Sequence, residues 1–198
     1  MDYFDALQKR RSVYSIRAAS TISDQQLANM LTDALKHAPS AFHSRSSRVY
    51  LLLGGSHIKL WKLVLDTLRP IVPADKFTNT EQKVSSFAAG YGTILYYEDQ
   101  AVVAQLQEQF PLYRDSFPTW SEQSSGMLQY MVWTGLAAEG LGATLQHYNP
   151  LIDDAVASHF GIPTTWKLIA QMPFGLPTAP PEDKDFGDVD ARVHIVNE

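Results

Sequence analysis

The clearest helical pattern in the chain lies at residues 23–38. Leu27, Met30, Leu31, Ala34, Leu35 and Ala38 form an unbroken apolar stripe, Ser23 with Gln26 reads as a capping box, and Pro39 stops the run. Residues 2–11 predict a shorter helix with Tyr3, Phe4 and Leu7 on one face. Val49 to Leu53 and Thr93 to Tyr97 are continuous apolar runs, which suit buried strands. After the first run, Ser56 is placed to cap a helix with Ile58, Trp61, Val64, Leu65 and Leu68 inward, which Pro70 and Pro73 break. Residues 74–90 are weakly patterned; Phe77, Val84 and Phe87 predict a partly exposed helix. Glu98 and Asp99 end the second run at the start of a helix facing inward at Val102, Val103, Leu106 and Phe110, where acids suit the dipole. Residues 111–122 read as an aromatic loop, and Tyr113, Phe117 and Trp120 fit a pocket roof and a subunit contact equally well.

The chain is organised around residues 124–150. Met127, Tyr130, Met131, Thr134 and Ala138 fall at helical spacing, and Trp133, Leu136 and Leu141 lie off that stripe, so the helix is apolar nearly all round. Such a helix is buried in a core or between subunits. Gly140 suits a left-handed helix stop, and Gly142 keeps the backbone bare just after it. Ala143, Thr144 and Leu145 then predict a short strand ending in Gln146, His147, Tyr148 and Asn149. Read without further context, this is a core helix and a hairpin. It is not a dinucleotide fingerprint, because no third glycine follows and the order is helix, glycines, strand. Leu151 to Phe160 reads as a helix with Asp153 and Asp154 capping its start. Trp166 to Phe174 alternates, with Leu168, Ala170, Met172 and Phe174 on one face of a strand. A proline-rich turn follows, and Arg192 to Val196 predicts a last strand. Together the elements predict an α+β fold: a central sheet of four or five strands, mixed or antiparallel, with helices on both faces. The 198 residues suit a single domain across 1–198.

Composition narrows the chemistry. The formal charge of −5 argues against nucleic acid, yet residues 1–48 carry seven bases against four acids, a local field that suits one small anion. The absence of cysteine removes disulfides and thiolate chemistry and fits a cytoplasmic protein. No signal-peptide pattern and no membrane-spanning run is expected, so no membrane partner is either. The six histidines show no metal-ligand spacing, and no nucleophile elbow or phosphate loop of the Walker type is present. Lys9, Arg10, Arg11 and Ser12 end the first helix, where cations are favourable through the dipole alone; two guanidinium forks and a hydroxyl also suit a phosphate.

The run GMLQYMVWTGLAAEGLGATLQHYNPLID, residues 126–153, resembles the nitroreductase family of flavin enzymes, in its small branch with a Leu-Gln-His-Tyr-Asn segment. The resemblance covers nearly the whole chain and implies a homodimer with flavin mononucleotide (FMN) at the subunit interface. It implies that Arg10 and Ser12, with Arg11 between them, bind phosphate and ribityl chain. Tyr14 stands where a basic residue is usual, with Arg17 as a candidate substitute. Pro39 and Ser40 match a flavin-lining loop in which His43 and Arg45 replace the usual Asn and Gln; on its own terms His43 is an exposed loop histidine. Leu145, Gln146 and His147 are implied to present backbone groups near flavin N5 and O4. Lys184 matches a basic residue that closes on the phosphate, although its acidic surroundings alone suggest a solvated lysine. The C-terminal strand is implied to swap onto the partner's sheet. The activity implied is reduction of nitroaromatics, quinones or similar flat acceptors by NADH or NADPH through a ping-pong route. Two alternatives stay open: a flavin-bound regulator or redox sensor in stress or lipid signalling, and a flavin-free binding domain.

Overall fold

The two continuous apolar runs lie side by side. In a computed structural model that describes residues 2–197, β2 (Ser47–Leu53) and β3 (Gly92–Asp99) pair antiparallel, with Ser47 opposite Glu98 and Leu53 opposite Gly92. β5 (Trp166–Pro177) covers the other edge of β3, so β3 is buried from Gly92 to Glu98. β1 (Ile16–Arg17) and β4 (Gly142–Ala143) also pair with β5. The five-stranded sheet runs β1-β5-β3-β2, with β4 beside β5. Every pairing between these strands is antiparallel, so the sheet is not mixed; one isolated parallel bridge joins Ser12 to Ala143.

Helices cover both faces, as an α+β fold of this kind requires. On one face α2 (Asp24–His37) and α6 (Phe117–Ala138) bury Leu27, Leu31, Leu128, Val132 and Leu136 against Ile94, Tyr96, Met172 and Phe174. On the other, α3 (Gly54–Leu68), α4 (Ala74–Ala88) and α7 (Asp153–Phe160) bury Trp61, Val64, Val84, Phe87 and Val156 against Leu52, Leu95, Tyr97 and Leu168. Each such side chain contributes roughly 1.5–3 kcal/mol by leaving water. α2 carries the predicted capping box, with the Ser23 side chain accepting from the Gln26 backbone and the Gln26 side chain returning to Ser23. α5 (Gln100–Gln109) is capped by the Asp99 side chain. No helix among the described residues is long and apolar enough to cross a membrane.

Several expectations need correcting. Leu168 does not share a face with Ala170, Met172 and Phe174: Tyr96 pairs with Ala170 but Tyr97 with Leu168, and this bulge turns Leu168 into the opposite core. Residues 117–122 are not loop. Pro118 sits in the first turn of α6, where its missing N–H costs nothing, so it starts a helix rather than breaking one. The buried stripe of α6 is Ser121, Ser125, Leu128, Val132 and Leu136, whereas Met127 is 41% exposed. Ser56 lies inside α3, which has no side-chain cap, and neither Asp153 nor Asp154 caps α7. The strand expected at Ala143–Leu145 is β4 at Gly142–Ala143, continued by an isolated bridge between Gln146 and Gln171. Tyr3 and Phe4 of α1 (Tyr3–Lys9) stand exposed, and only Ala6 of that helix is buried. Residues 193–197 pair with no strand among the described residues; a 3-10 turn at Asp190–Arg192 precedes them.

Candidate functional site

A turn thinned by glycine sets the site. Gly140 takes φ +79 after α6, and Leu141 N–H reaches back to Leu136 O (2.9 Å) while Gly140 N–H reaches Ala137 O (3.1 Å). These are the two bonds of a Schellman stop. The turn delivers β4 against residues 12–13: Val13 N–H donates to Ala143 O at 2.9 Å. A Cβ on Gly142 would sit 2.8 Å from Val13 Cγ1, so only glycine permits this approach. α1 lies across α6 and ends at Arg10, and the chain then runs along β4. Between that segment and residues 179–184 opens a cleft of about 490 Å³, within the range of small-ligand sites.

Arg10, Arg11, Ser12, Tyr14 and Lys184 all line this cleft, so the structure brings these predicted residues together. The Arg10 guanidinium carbon lies 4.5 Å from the Trp133 ring centre and 6.0 Å from that of Tyr130. This stacking fixes the side chain. Its Nε is buried and has no partner among the described residues, and neither has Trp133 Nε1. An orphaned, charged donor in a cationic cleft is what an anionic ligand completes. Arg11 Nη2 donates to the Glu182 carbonyl. Lys184 Nζ lies 5.2 Å from the Phe186 ring centre on an exposed segment. Tyr14 is 53% exposed. Arg17, in β1, does not line the cleft.

The 145–149 segment is held from behind by Gln171, which is fully buried. Its side-chain oxygen accepts from Tyr148 N–H (2.8 Å) and its amide donates to Asn149 Oδ1 (3.2 Å). Gln146 spends both backbone groups on Gln171, and its side chain donates to Thr144 Oγ1 (3.1 Å). Its backbone is therefore not offered to a ligand, contrary to expectation. Because pairing alternates along a strand, the backbone N–H groups of Leu145 and His147 point away from β5, and they have no partner among the described residues.

Pro39, Ser40, His43 and Arg45 do not join the cleft. Phe42, in their midst, packs on Phe110 (4.8 Å), Phe117 (5.3 Å) and Tyr113 (5.5 Å) and stacks at 17° over Trp120. The aromatic residues of 111–120 therefore pack around their own chain's loop. Trp120 precedes Tyr130 by ten residues on α6, about 15 Å along the axis. Phe42, His43 and Arg45 have φ of 53, 53 and 52, a costly region for residues with a Cβ. The strain is held by His43 N–H to Ser40 O (2.9 Å), Arg45 N–H to Ser40 Oγ (3.2 Å) and Arg48 Nη1 to Arg45 O (2.7 Å). Beneath lies Glu98, fully buried, each carboxylate oxygen accepting one hydroxyl at 2.5 Å, from Ser46 and from Ser47. Burial pushes this carboxyl above the usual range, against the pull of the two hydroxyls and the Arg48 guanidinium. Sequence reasoning missed Glu98 and Gln171; the available signal was a polar residue inside an apolar strand.

The chain is also similar to known proteins. A model of the nitroreductase family matches residues 7–176. Nitroreductase FRM2 of Saccharomyces cerevisiae is 30% identical over 187 residues, 93% of each chain. The structure of nitroreductase CinD from Lactococcus lactis in complex with chloramphenicol is 41% identical, with a TM-score of 0.89 over 99% of this chain and 100% of that one. A nitroreductase with bound FMN from Desulfitobacterium hafniense, 13% identical, shares the fold at a TM-score of 0.70 over 98% and 97% of the two chains.

Proposed function

Since this chain belongs to the nitroreductase family and is a nitroreductase-type oxidoreductase, we propose that it is an FMN-dependent enzyme of the cytoplasm. It takes electrons from NADH or NADPH and passes them, by a ping-pong route, to nitroaromatics, quinones or similar flat acceptors, with the whole chain acting as one domain. The observation that carries this reading is that Arg10, whose buried Nε has no partner among the described residues, lines one cleft with Ser12 and Lys184. FMN, when bound, supplies the hydride exchange, so the chain needs no acid–base side chain of its own.

The chain's own residues bind and orient. Arg10 and Ser12 hold the phosphate and ribityl chain, and Lys184 closes on the phosphate. Leu145 and His147 offer backbone N–H groups to the ring, and Gln146 keeps their register through its bonds to Gln171. Tyr14 leaves the pyrimidine edge without a fixed cation. Pro39, Ser40, His43 and Arg45 reach the cofactor of the partner subunit in a homodimer, because their loop packs at Trp120, about 15 Å along α6 from Tyr130, and does not line its own cleft. The exposed Tyr3, Phe4, Met127, Val193, Ile195 and Val196 support that dimer, as does a C-terminal segment with no strand partner among the described residues.

The test is absorbance of the purified protein near ~450 nm, where bound flavin shows, followed by steady-state NADH and NADPH oxidation with a nitroaromatic acceptor. We expect colour and turnover. Colour without turnover supports a regulator or redox sensor instead, and no colour after adding FMN overturns the proposal.

A further inference from the structure

We propose that Arg11 is a positioning residue: it pins residues 178–184 across the mouth of the cleft and so carries Lys184 to the phosphate. The inference rests on the FMN reading above and assigns Arg11 a role distinct from direct phosphate contact.

The segment is a partition. A second cleft, of about 480 Å³, lies on its far side, and Arg11, Val13, Ala179, Pro180 and Pro181 line both. Lys184 lines only the first. The root of the segment is tied down by Thr178 N–H to Ser15 O at 2.8 Å. Beyond that, every residue from 178 to 184 is exposed. Among the described residues, the bond from Arg11 Nη2 to Glu182 O is the one hydrogen bond that ties residues 179–184 to the rest of the chain.

A single pin suffices because the arm is stiff. Pro180 and Pro181 fix their own φ and restrict the residues before them, so the arm does not crumple between Thr178 and Glu182. Holding the Glu182 carbonyl therefore sets where the chain lies two residues later, at Lys184. The pin also decides the sign of the charge presented. Glu182 and Asp183 line the same cleft, and an unpinned arm is free to place their carboxylates, instead of the lysine, beside the phosphate at a cost in repulsion. An arginine suits the task, since its planar fork holds a carbonyl in a defined direction while a lysine offers a flexible point charge.

The experiment compares FMN and riboflavin affinities of the full chain by fluorescence titration, in wild type, Arg11→Ala, Arg11→Lys, Lys184→Ala and the Arg11→Ala/Lys184→Ala double variant. Losing a charge-assisted bond to phosphate weakens binding about tenfold or more, so Lys184→Ala should lose about that much FMN affinity. Arg11→Ala and Arg11→Lys should lose a similar amount. The double variant should bind no more weakly than Lys184→Ala, because Arg11 acts through that lysine. Riboflavin, which has no phosphate, should bind all five equally. Losses that multiply in the double variant would show Arg11 gripping phosphate itself and overturn the pin. Wild-type affinity in Arg11→Lys overturns it too, since charge alone would then suffice. Equal loss of riboflavin would reduce Arg11 to a structural role. A wild type that binds neither flavin defeats the FMN reading, and the pin with it.

Discussion

The cleft around Arg10 and the loop around Phe42 are both irregular segments that follow a helix, and they are built in opposite ways. The cleft is under-bonded. Among the described residues its key side chain has a buried donor without a partner, and its far wall beyond Thr178 hangs on one long-range hydrogen bond. The loop is over-bonded. Three strained residues are held by backbone turns, by Ser40, by Arg48 and by the packing of Phe42, and Glu98 clamps the two serines that follow them. An under-bonded site is finished by its ligand, whereas an over-bonded one is finished before the ligand arrives. The first should lose binding when changed and largely keep its fold, whereas removing the supports of the second should cost stability.

The largest effect should come from removing the support of the loop. Glu98→Ala leaves the Ser46 and Ser47 hydroxyls without their shared acceptor. Hydrogen bonds to charged groups contribute about 1.5–3 kcal/mol each, so a loss of roughly 3 kcal/mol is expected, read as a lower urea midpoint. An unchanged midpoint would mean that the loop does not depend on its clamp. Next is Arg10→Ala in the cleft. FMN binding should weaken by roughly 2 kcal/mol, some thirtyfold. Folding should lose only the stacking on Trp133 and Tyr130, about 0.5–1 kcal/mol at a partly exposed site. Titration with FMN beside a urea melt separates the two, and equal losses would erase the contrast.

How far these regions were legible depends on whether their cause is local. α2 was readable because its stripe, its cap and its stop all lie within its own residues. β2 and β3 were readable as apolar runs. The swing of Leu168 to the other core was not, because it follows from the register of β3, which no stretch of β5 records. Pro118 misled because the same ring ends one helix and starts another, and its neighbours do not say which. Glu98 looked like an acid suited to a helix start; its burial comes from strands far along the chain. In the loop, Phe42, His43 and Arg45 carry no glycine or asparagine to mark a left-handed backbone. The basic residues of the cleft were visible, but a helix dipole explains them equally well, so their grouping with Lys184 came from resemblance and then from the structure.

The clamp also makes a pH prediction. Burial raises the Glu98 carboxyl above its ordinary value of 4.5. The folded state therefore binds this proton more tightly than the unfolded chain. The stabilisation from protonation is fully present below 4.5 and is lost as pH rises through the raised value in the folded protein. Glu98→Gln cannot titrate. The stability of wild type minus that of Glu98→Gln should be most favourable to wild type in acid and decline toward neutral pH. A difference that stays flat, or rises with pH, would mean that the hydroxyls and Arg48 outweigh burial.

The smallest effect should come from a pair of glycine substitutions that test the contrast in the backbone itself. Arg45 has φ 52, where a Cβ costs about 1 kcal/mol or more. Its N–H and carbonyl bonds, to Ser40 and Arg48, survive loss of the side chain, which is exposed. Glycine relieves the strain but adds freedom to the unfolded chain, about 0.5–1 kcal/mol in the other direction. Arg45→Gly should therefore leave stability level or raise it by up to about 0.5 kcal/mol, while acceptor turnover falls because the guanidinium is gone. Arg10 sits at φ −63 and ψ 111, an extended conformation with no strain to relieve. Arg10→Gly should lose its stacking and gain nothing, so its urea midpoint falls. Opposite signs, or a fall for Arg10 with no change for Arg45, support a loop that stores strain; a parallel fall in both would place the strain elsewhere.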